Sequence, residues 1–79
     1  MKIEKNGESV AIYLNSKFYG VEALQKAIKD FRKVCAGEIS NNSKEFVVRL
    51  SPINKETDIE NLAYEFCNYV ISVMRDSIL

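Results

Sequence analysis

The chain has 79 residues, 47% of them apolar, and its eleven basic residues balance eleven acidic ones. This length predicts a single domain, residues 1–79, with one hydrophobic core. The neutral charge argues against non-specific binding to nucleic acid or to an anionic membrane, because both need an excess of basic residues. We therefore expect neither nucleic acid nor a membrane among its partners.

The first residues, MKIEKNGESV, lack the apolar segment of a signal peptide, and no apolar run approaches the about 20 residues of a membrane span. A soluble, cytoplasmic protein is the expectation. Cys35 and Cys67 lie far apart in a chain without histidine, so no metal-ligand spacing is present. We predict two buried, unreactive thiols rather than a disulfide, because the cytosol is reducing.

The first secondary-structure signal is Asn6-Gly7, which separates the extended segments 2–5 and 8–14. Both residue types tolerate the positive φ of a type I′ turn, so the pair predicts a tight β-hairpin centred on Asn6 and Gly7. The second segment alternates in hydrophobicity, as half-buried strands do. Its apolar positions include Val10, Ile12 and Leu14.

An amphipathic helix follows, because apolar residues recur every three or four positions. These residues are Val21, Leu24, Ile28 and Phe31. The helix is predicted to begin near Gly20 or Val21 and to end before Gly37.

A second hairpin comes next in the sequence. Its first strand, VCAGEIS over 34–40, is weakly predicted because Gly37 interrupts it. Its second strand, EFVVRLS over 45–51, is strongly predicted and ends at Pro52. The tetrapeptide NNSK between them is rich in turn-forming residues.

A capping box predicts the start of the last helix, because the Thr57 hydroxyl can accept a helical N–H while Glu60 reaches back. It is predicted to run from Asp58 nearly to the end of the chain. The element order is therefore ββαββα. We predict an α+β, two-layer sandwich: a mostly antiparallel four-stranded sheet with both helices on one face.

This last helix has more apolar residues than one buried stripe needs. At 100° per residue, the sheet-facing cluster is Ile59, Leu62, Ala63, Phe66, Val70, Val73 and Met74. A second line points away from the core: Tyr64, Asn68, Ile71 and Arg75. Two interpretations remain open. Either the first helix covers part of this line, or the line is a recognition face, since interfaces favour Tyr and Arg.

The outward face of the sheet is a second candidate surface. Its predicted residues are Ala11, Tyr13, Val47 and Arg49. Such a half-apolar face is either an ordinary surface with scattered apolar residues, a peptide platform or the contact of a homodimer. An RNA-binding sheet is disfavoured, because the aromatic residues are few and the charge is neutral.

No group of residues predicts catalysis. A nucleophile with its activator or a phosphate-binding loop would leave a sequence motif, and none is present. Glu65 and Asp76 fall on a solvated strip of the last helix. A nucleophilic Cys67 would need an adjacent cationic or basic activator, and its predicted place near the core argues against one. We expect neither an enzyme nor a bound cofactor.

Two short stretches together resemble a known family. One is the strand VVRL with Pro52 close behind it, and the other is a final helix with Glu-Phe-x-Asn and an Arg seven residues later. These helix positions are Glu65, Phe66, Asn68 and Arg75. The chain resembles the HxsD family, small proteins of the His-Xaa-Ser systems, over roughly residues 8–79.

This resemblance implies a context rather than a reaction. Proteins of the family occur with radical SAM enzymes that modify ribosomally made peptides with His-Xaa-Ser repeats. The resemblance implies an accessory protein whose partner is a radical SAM enzyme, its precursor peptide or both. The alternative is a small homo-oligomeric interaction module with its sheet face buried between copies.

Overall fold

The computed structural model describes the backbone of residues 1–78 and the side chains of residues 1–76. Four antiparallel strands form one open sheet, and two helices pack on it, so the predicted α+β fold and the ββαββα order are confirmed. The elements are β1 (Lys2–Asn6), β2 (Ser9–Asn15), α1 (Val21–Asp30), β3 (Cys35–Asn41), β4 (Glu45–Pro52) and α2 (Ile59–Ile78).

The strand order in the sheet is β1-β2-β4-β3, and every neighbouring pair is antiparallel. Strands β2 and β4 are therefore central, and β1 and β3 are the two edges. Because β2 and β3 both run antiparallel to β4, they are parallel to each other, and α1 is the crossover that such a connection requires. Each edge strand leaves one row of backbone hydrogen-bonding groups unpaired within the sheet.

The hydrophobic core lies between one face of the sheet and the two helices. The predicted alternation of β2 is confirmed at Val10, Ile12 and Leu14, which are fully buried. The other buried apolar side chains of the core cluster are Leu24, Ala27, Cys35, Val48, Leu50, Leu62, Ala63, Phe66, Cys67 and Val70. Burial of each large apolar side chain contributes about 1.5–3 kcal/mol of transfer free energy. The buried side chains of α2 therefore hold that helix on the sheet.

The turn of the first hairpin differs from the predicted one. Asn6 pairs with Ser9, so the two central residues are Gly7 and Glu8 rather than Asn6 and Gly7. Of these two residues, only Gly7 has a positive φ, +63°, which matches a type II′ turn with glycine at its first central position. The predicted type I′ turn is wrong because the strand pairing continues through Asn6.

The predicted interruption of the third strand at Gly37 is also wrong. β3 is a regular seven-residue strand, and Gly37 faces α1. A Cβ atom at this position would lie 3.0 Å from both Cγ1 and Cγ2 of Ile28 and 3.3 Å from Cδ2 of Leu50. The glycine therefore allows close packing of α1 on the sheet and does not break the strand.

The start of α2 is capped by a different residue from the one predicted. The Asp58 Oδ1 atom accepts the backbone N–H groups of the second and third helical residues, at 3.1 and 3.2 Å. Asp58 thus takes the role expected of Thr57. The Glu60 carboxylate does not complete a capping box but pairs with Lys5 Nζ at 3.0 Å.

We predict that Gly37→Ala destabilises the protein by about 1–3 kcal/mol, because the added methyl group overlaps the stiff, β-branched side chain of Ile28. The free energy of unfolding in urea is the measurement. In an Ile28→Ala background the same substitution should cost much less, since both overlapping atoms are gone. An equal cost in the two backgrounds would contradict the packing role of Gly37.

Candidate functional site

Helix α2 is held from both flanks. On one flank Glu60 pairs with Lys5 of β1, as above, and the Sγ of Cys67 lies 3.2 Å from the Sδ of Met1, the residue before β1. On the other flank α2 meets the end of α1, where the Phe31 ring lies 5.4 Å from that of Phe66 and 5.5 Å from that of Tyr69. The sector of α2 between these flanks, opposite the sheet, faces solvent.

The second line predicted on this helix lies in that solvent-facing sector. We call Tyr64, Asn68, Ile71 and Arg75 the outer line of α2. Tyr64 is 54% exposed and Ile71 is 45% exposed, and the other two residues are also exposed. The interpretation that α1 covers Tyr64 and Ile71 is wrong, because α1 contacts the Tyr69 side of the helix instead.

Polar groups surround the two apolar residues of the outer line. On the solvated strip beyond it, the Asn61 side-chain amide donates to the Glu65 carboxylate at 2.7 Å. Within the described residues, no hydrogen bond or ion pair engages the Arg75 guanidinium. The outer line therefore offers an aromatic ring, an amide, an aliphatic side chain and an uncommitted cation on one side of a rigid helix.

The outward face of the sheet is more polar than predicted. Ala11 is only 3% exposed, since it lies between Glu4 and Arg49 in the strand register, and this corrects the prediction that it is an open surface residue. Tyr13 pairs with Val47 across the strands, and both are half-buried. Among the predicted residues of this face, only Arg49 is exposed.

The Tyr13 ring already has partners within the chain. Lys2 Nζ lies 5.3 Å from the ring centroid, and the hydroxyl donates to Glu4 Oε1 at 3.4 Å. Lys2 and Glu4 in turn pair at 3.5 Å. This face and the outer line of α2 lie on opposite layers of the sandwich, so the seven predicted residues form two separate surfaces rather than one site.

Sequence reasoning missed a polar cluster that joins the two helices. The Tyr69 hydroxyl donates a short hydrogen bond to Asp30 Oδ2, and Lys26 Nζ donates to the same oxygen at 2.9 Å. These hydrogen bonds lower the pKa of Asp30, with that from Tyr69 contributing most. The same carboxylate raises the pKa of Tyr69 and of Lys26. The i, i+4 spacing of Lys26 and Asp30 could have predicted their ion pair from the sequence, but no sequence pattern indicated the contact with Tyr69.

Both cysteines are free and buried, as predicted. Burial raises the pKa of Cys35, and it raises the pKa of Cys67 to about 11. Thiolates are the reactive form of cysteine, and few are present at neutral pH with such values. The structure thus gives neither thiol the environment of a nucleophile.

Three surface clefts lined by described residues are small. Their volumes are about 210, 200 and 220 Å³, below the roughly 300–1,000 Å³ that is typical of ligand pockets. Among the described residues, no group of three or more His, Cys, Asp or Glu side chains could hold a metal ion. No helix in the same part of the chain is long and apolar enough to cross a membrane.

Comparisons of the chain with protein-family models, with curated proteins and with solved structures find no match. The likeness to the HxsD family thus rests on the stretches of sequence quoted above. The structure adds where their residues lie. Phe66 is fully buried, whereas Glu65, Asn68 and Arg75 are exposed.

The lowered pKa of Asp30 predicts an acid-dependent loss of stability. A carboxyl group whose pKa is lower in the folded state stabilises that state above its ordinary pKa, here 3.8, and loses this effect as the pH falls through the folded value. The urea midpoint of the wild type should therefore fall more steeply below about pH 4 than that of Asp30→Asn. Glu56→Gln, which removes one charge from an exposed loop, should follow the wild type. Parallel curves for all three proteins would contradict a stabilising role for the cluster.

The buried thiols predict slow alkylation of the native protein. At pH 8, iodoacetamide should modify Cys35 and Cys67 at least about tenfold more slowly in the native chain than in urea. Peptide mapping by mass spectrometry assigns the modification to each residue. Rapid labelling of Cys67 in the folded protein would show that the Met1 contact does not keep solvent away from it.

Proposed function

We propose that this protein is a cytoplasmic, non-catalytic accessory protein in the radical SAM-dependent maturation of a ribosomally made peptide. It holds the precursor peptide or the enzyme, while the enzyme carries out the radical chemistry. The proposal combines two independent supports: an exposed helix face without a partner among the described residues, and the resemblance of the last strand and helix to the HxsD family.

The observation that carries the proposal is the outer line of α2. Single exposed apolar residues are ordinary on protein surfaces. Here Tyr64 and Ile71 are seven residues apart, two turns of one helix, so they lie about 10.5 Å apart along the same side. With Asn68 and Arg75 they form the kind of aromatic- and arginine-containing patch that is enriched where proteins bind one another.

The motif shared with the family divides between core and surface. Phe66 fixes the helix on the sheet with no exposed surface, whereas Asn68 and Arg75 point to solvent. A purely structural motif would need only the buried member. Two exposed polar members on the outer line are what a binding role would require, and this supports the proposal.

A homo-oligomer formed through the sheet face has weaker support. The Tyr13 ring is already covered by Lys2, and the face carries the Lys2–Glu4 ion pair together with exposed Arg49. Burying these charges between copies would incur a desolvation penalty that surface pairs seldom offset. We therefore favour the helix face as the binding surface.

The proposal predicts that the protein binds a radical SAM enzyme, or the precursor peptide of that enzyme, whose gene lies beside its own. Replacing both Asn68 and Arg75 with Ala should weaken that binding by at least about tenfold, since the variant loses an amide and a charged donor from the contact. Isothermal titration or a quantitative pull-down with the purified partners is the measurement.

A matched control exists on the other helix. Gln25 and Lys29 are also an exposed amide and an exposed cation, on α1. Their double replacement with Ala should leave the affinity unchanged within about twofold. Failure of the wild type to bind either neighbour would refute the proposed function, and equal losses in the two double variants would refute the role of the outer line.

A further inference from the structure

The edge strand β1 has a defined set of free backbone groups. Because Asn6 and Ser9 close the hairpin as a hydrogen-bonded pair, and such pairs recur at every second position, the even-numbered residues of β1 bond to β2. The N–H and C=O groups of Ile3 and Lys5 therefore point outward to the open edge. Their side chains point to the helix layer, where Ile3 packs on the core and Lys5 reaches Glu60.

Helix α2 runs beside this edge and exposes apolar side chains along it. Glu60 pairs with Lys5 near the end of β1, and Cys67 contacts Met1, the residue just before the start of β1. Tyr64 follows Glu60 by four residues, and Ile71 follows Cys67 by four, so each lies one helical turn onward and further toward solvent. The exposed edge of β1 and the exposed flank of α2 thus form one continuous surface, which we call the open step. The strand edge is its floor and the helix flank is its wall.

An extended chain is the occupant that this step can accommodate. A strand added to β1 would lie about 4.8 Å beyond it and pair with the free groups of Ile3 and Lys5. Its residues opposite those two would direct their side chains to the helix layer, toward Tyr64 and Ile71. If it runs antiparallel to β1, its carboxyl-terminal end lies on the Ile71 side, one helical turn from the uncommitted Arg75.

A second copy of the chain is a poorer occupant. Full overlap of two antiparallel β1 strands, residue 2 with residue 6 and so on, would place Glu4 directly opposite Glu4, and like charges in that position are destabilising. The other edge, β3, is flanked by α1. Apart from Val21, the exposed residues of α1 are polar, so that edge lacks an apolar wall.

We propose that β1 and the outer line of α2 together bind an extended peptide segment, which adds as a fifth strand antiparallel to β1. The segment carries apolar side chains at alternate positions against Tyr64 and Ile71 and an acidic residue near Arg75. This inference deepens the proposed function. It rests on that function in one respect, because it takes the bound partner to be the peptide and not the enzyme.

Selection from a random nine-residue peptide library displayed on phage tests this proposal. Lys5→Pro removes the outward N–H at an exposed edge position that tolerates proline, while Lys5→Ala keeps the N–H. Both variants lose the ion pair with Glu60, so they differ chiefly in the backbone donor. Circular dichroism and thermal melting check that both variants fold.

The expected result is enrichment, over a Lys5→Pro counter-selection, of peptides with period-two apolar residues and an acidic residue toward the carboxyl end. A synthetic copy of the most enriched peptide should bind Lys5→Pro at least about tenfold more weakly than Lys5→Ala in fluorescence anisotropy. Ile71→Asn should also weaken binding.

Three outcomes would overturn the proposal: no enrichment, equal binding by the two Lys5 variants, or dimerisation of the free protein that Lys5→Pro abolishes. The last would assign the edge to a second copy. Differential binding of the peptide together with no binding to the gene neighbours would uphold this inference and refute only the proposed function.

Discussion

The position of Phe66 determines which residues of α2 are available to other molecules. Its ring has no exposed surface and meets Phe31 edge-on, at an angle of 79° between the ring planes. Because each helical residue is turned by 100° from the last, this anchor fixes the rotation of the whole helix. Tyr69 is then directed toward α1, and Asn68 toward solvent. The outer line of α2, which both proposals use, depends on this one buried aromatic contact.

Local patterns predicted the secondary structure well, because periods of 2 and about 3.6 residues report which side of an element is buried. The alternation in β2 and the stripe of α1 needed no knowledge of the rest of the fold. Errors arose where two local solutions compete. The Asn6–Gly7 pair suits one turn, but the register of β1 on β2 selects Gly7–Glu8. Thr57 and Asp58 are adjacent residues that can each accept the first N–H groups of the helix, and the fold places Asp58 in the capping position.

The outer line of α2 could be predicted from helical geometry, but its exposure could not. That depended on the side of α2 on which α1 lies, and this follows from how the crossover packs. Contacts between distant parts of the chain were invisible for the same reason. The Tyr69–Asp30 hydrogen bond joins residues 39 positions apart, and the Cys67–Met1 contact joins residues 66 positions apart. Likewise, Ala11 is buried by neighbours that only the strand register brings beside it.

The contact between Met1 and Cys67 has a practical consequence for any fusion protein. It places Met1 beside α2, at the Ile71 end of the open step. A tag joined there would be tethered next to the free edge of β1, at an effective concentration in the millimolar range for a short flexible linker. An apolar tag could then act as an intramolecular competitor, and a protein labelled in this way would appear to have no ligand.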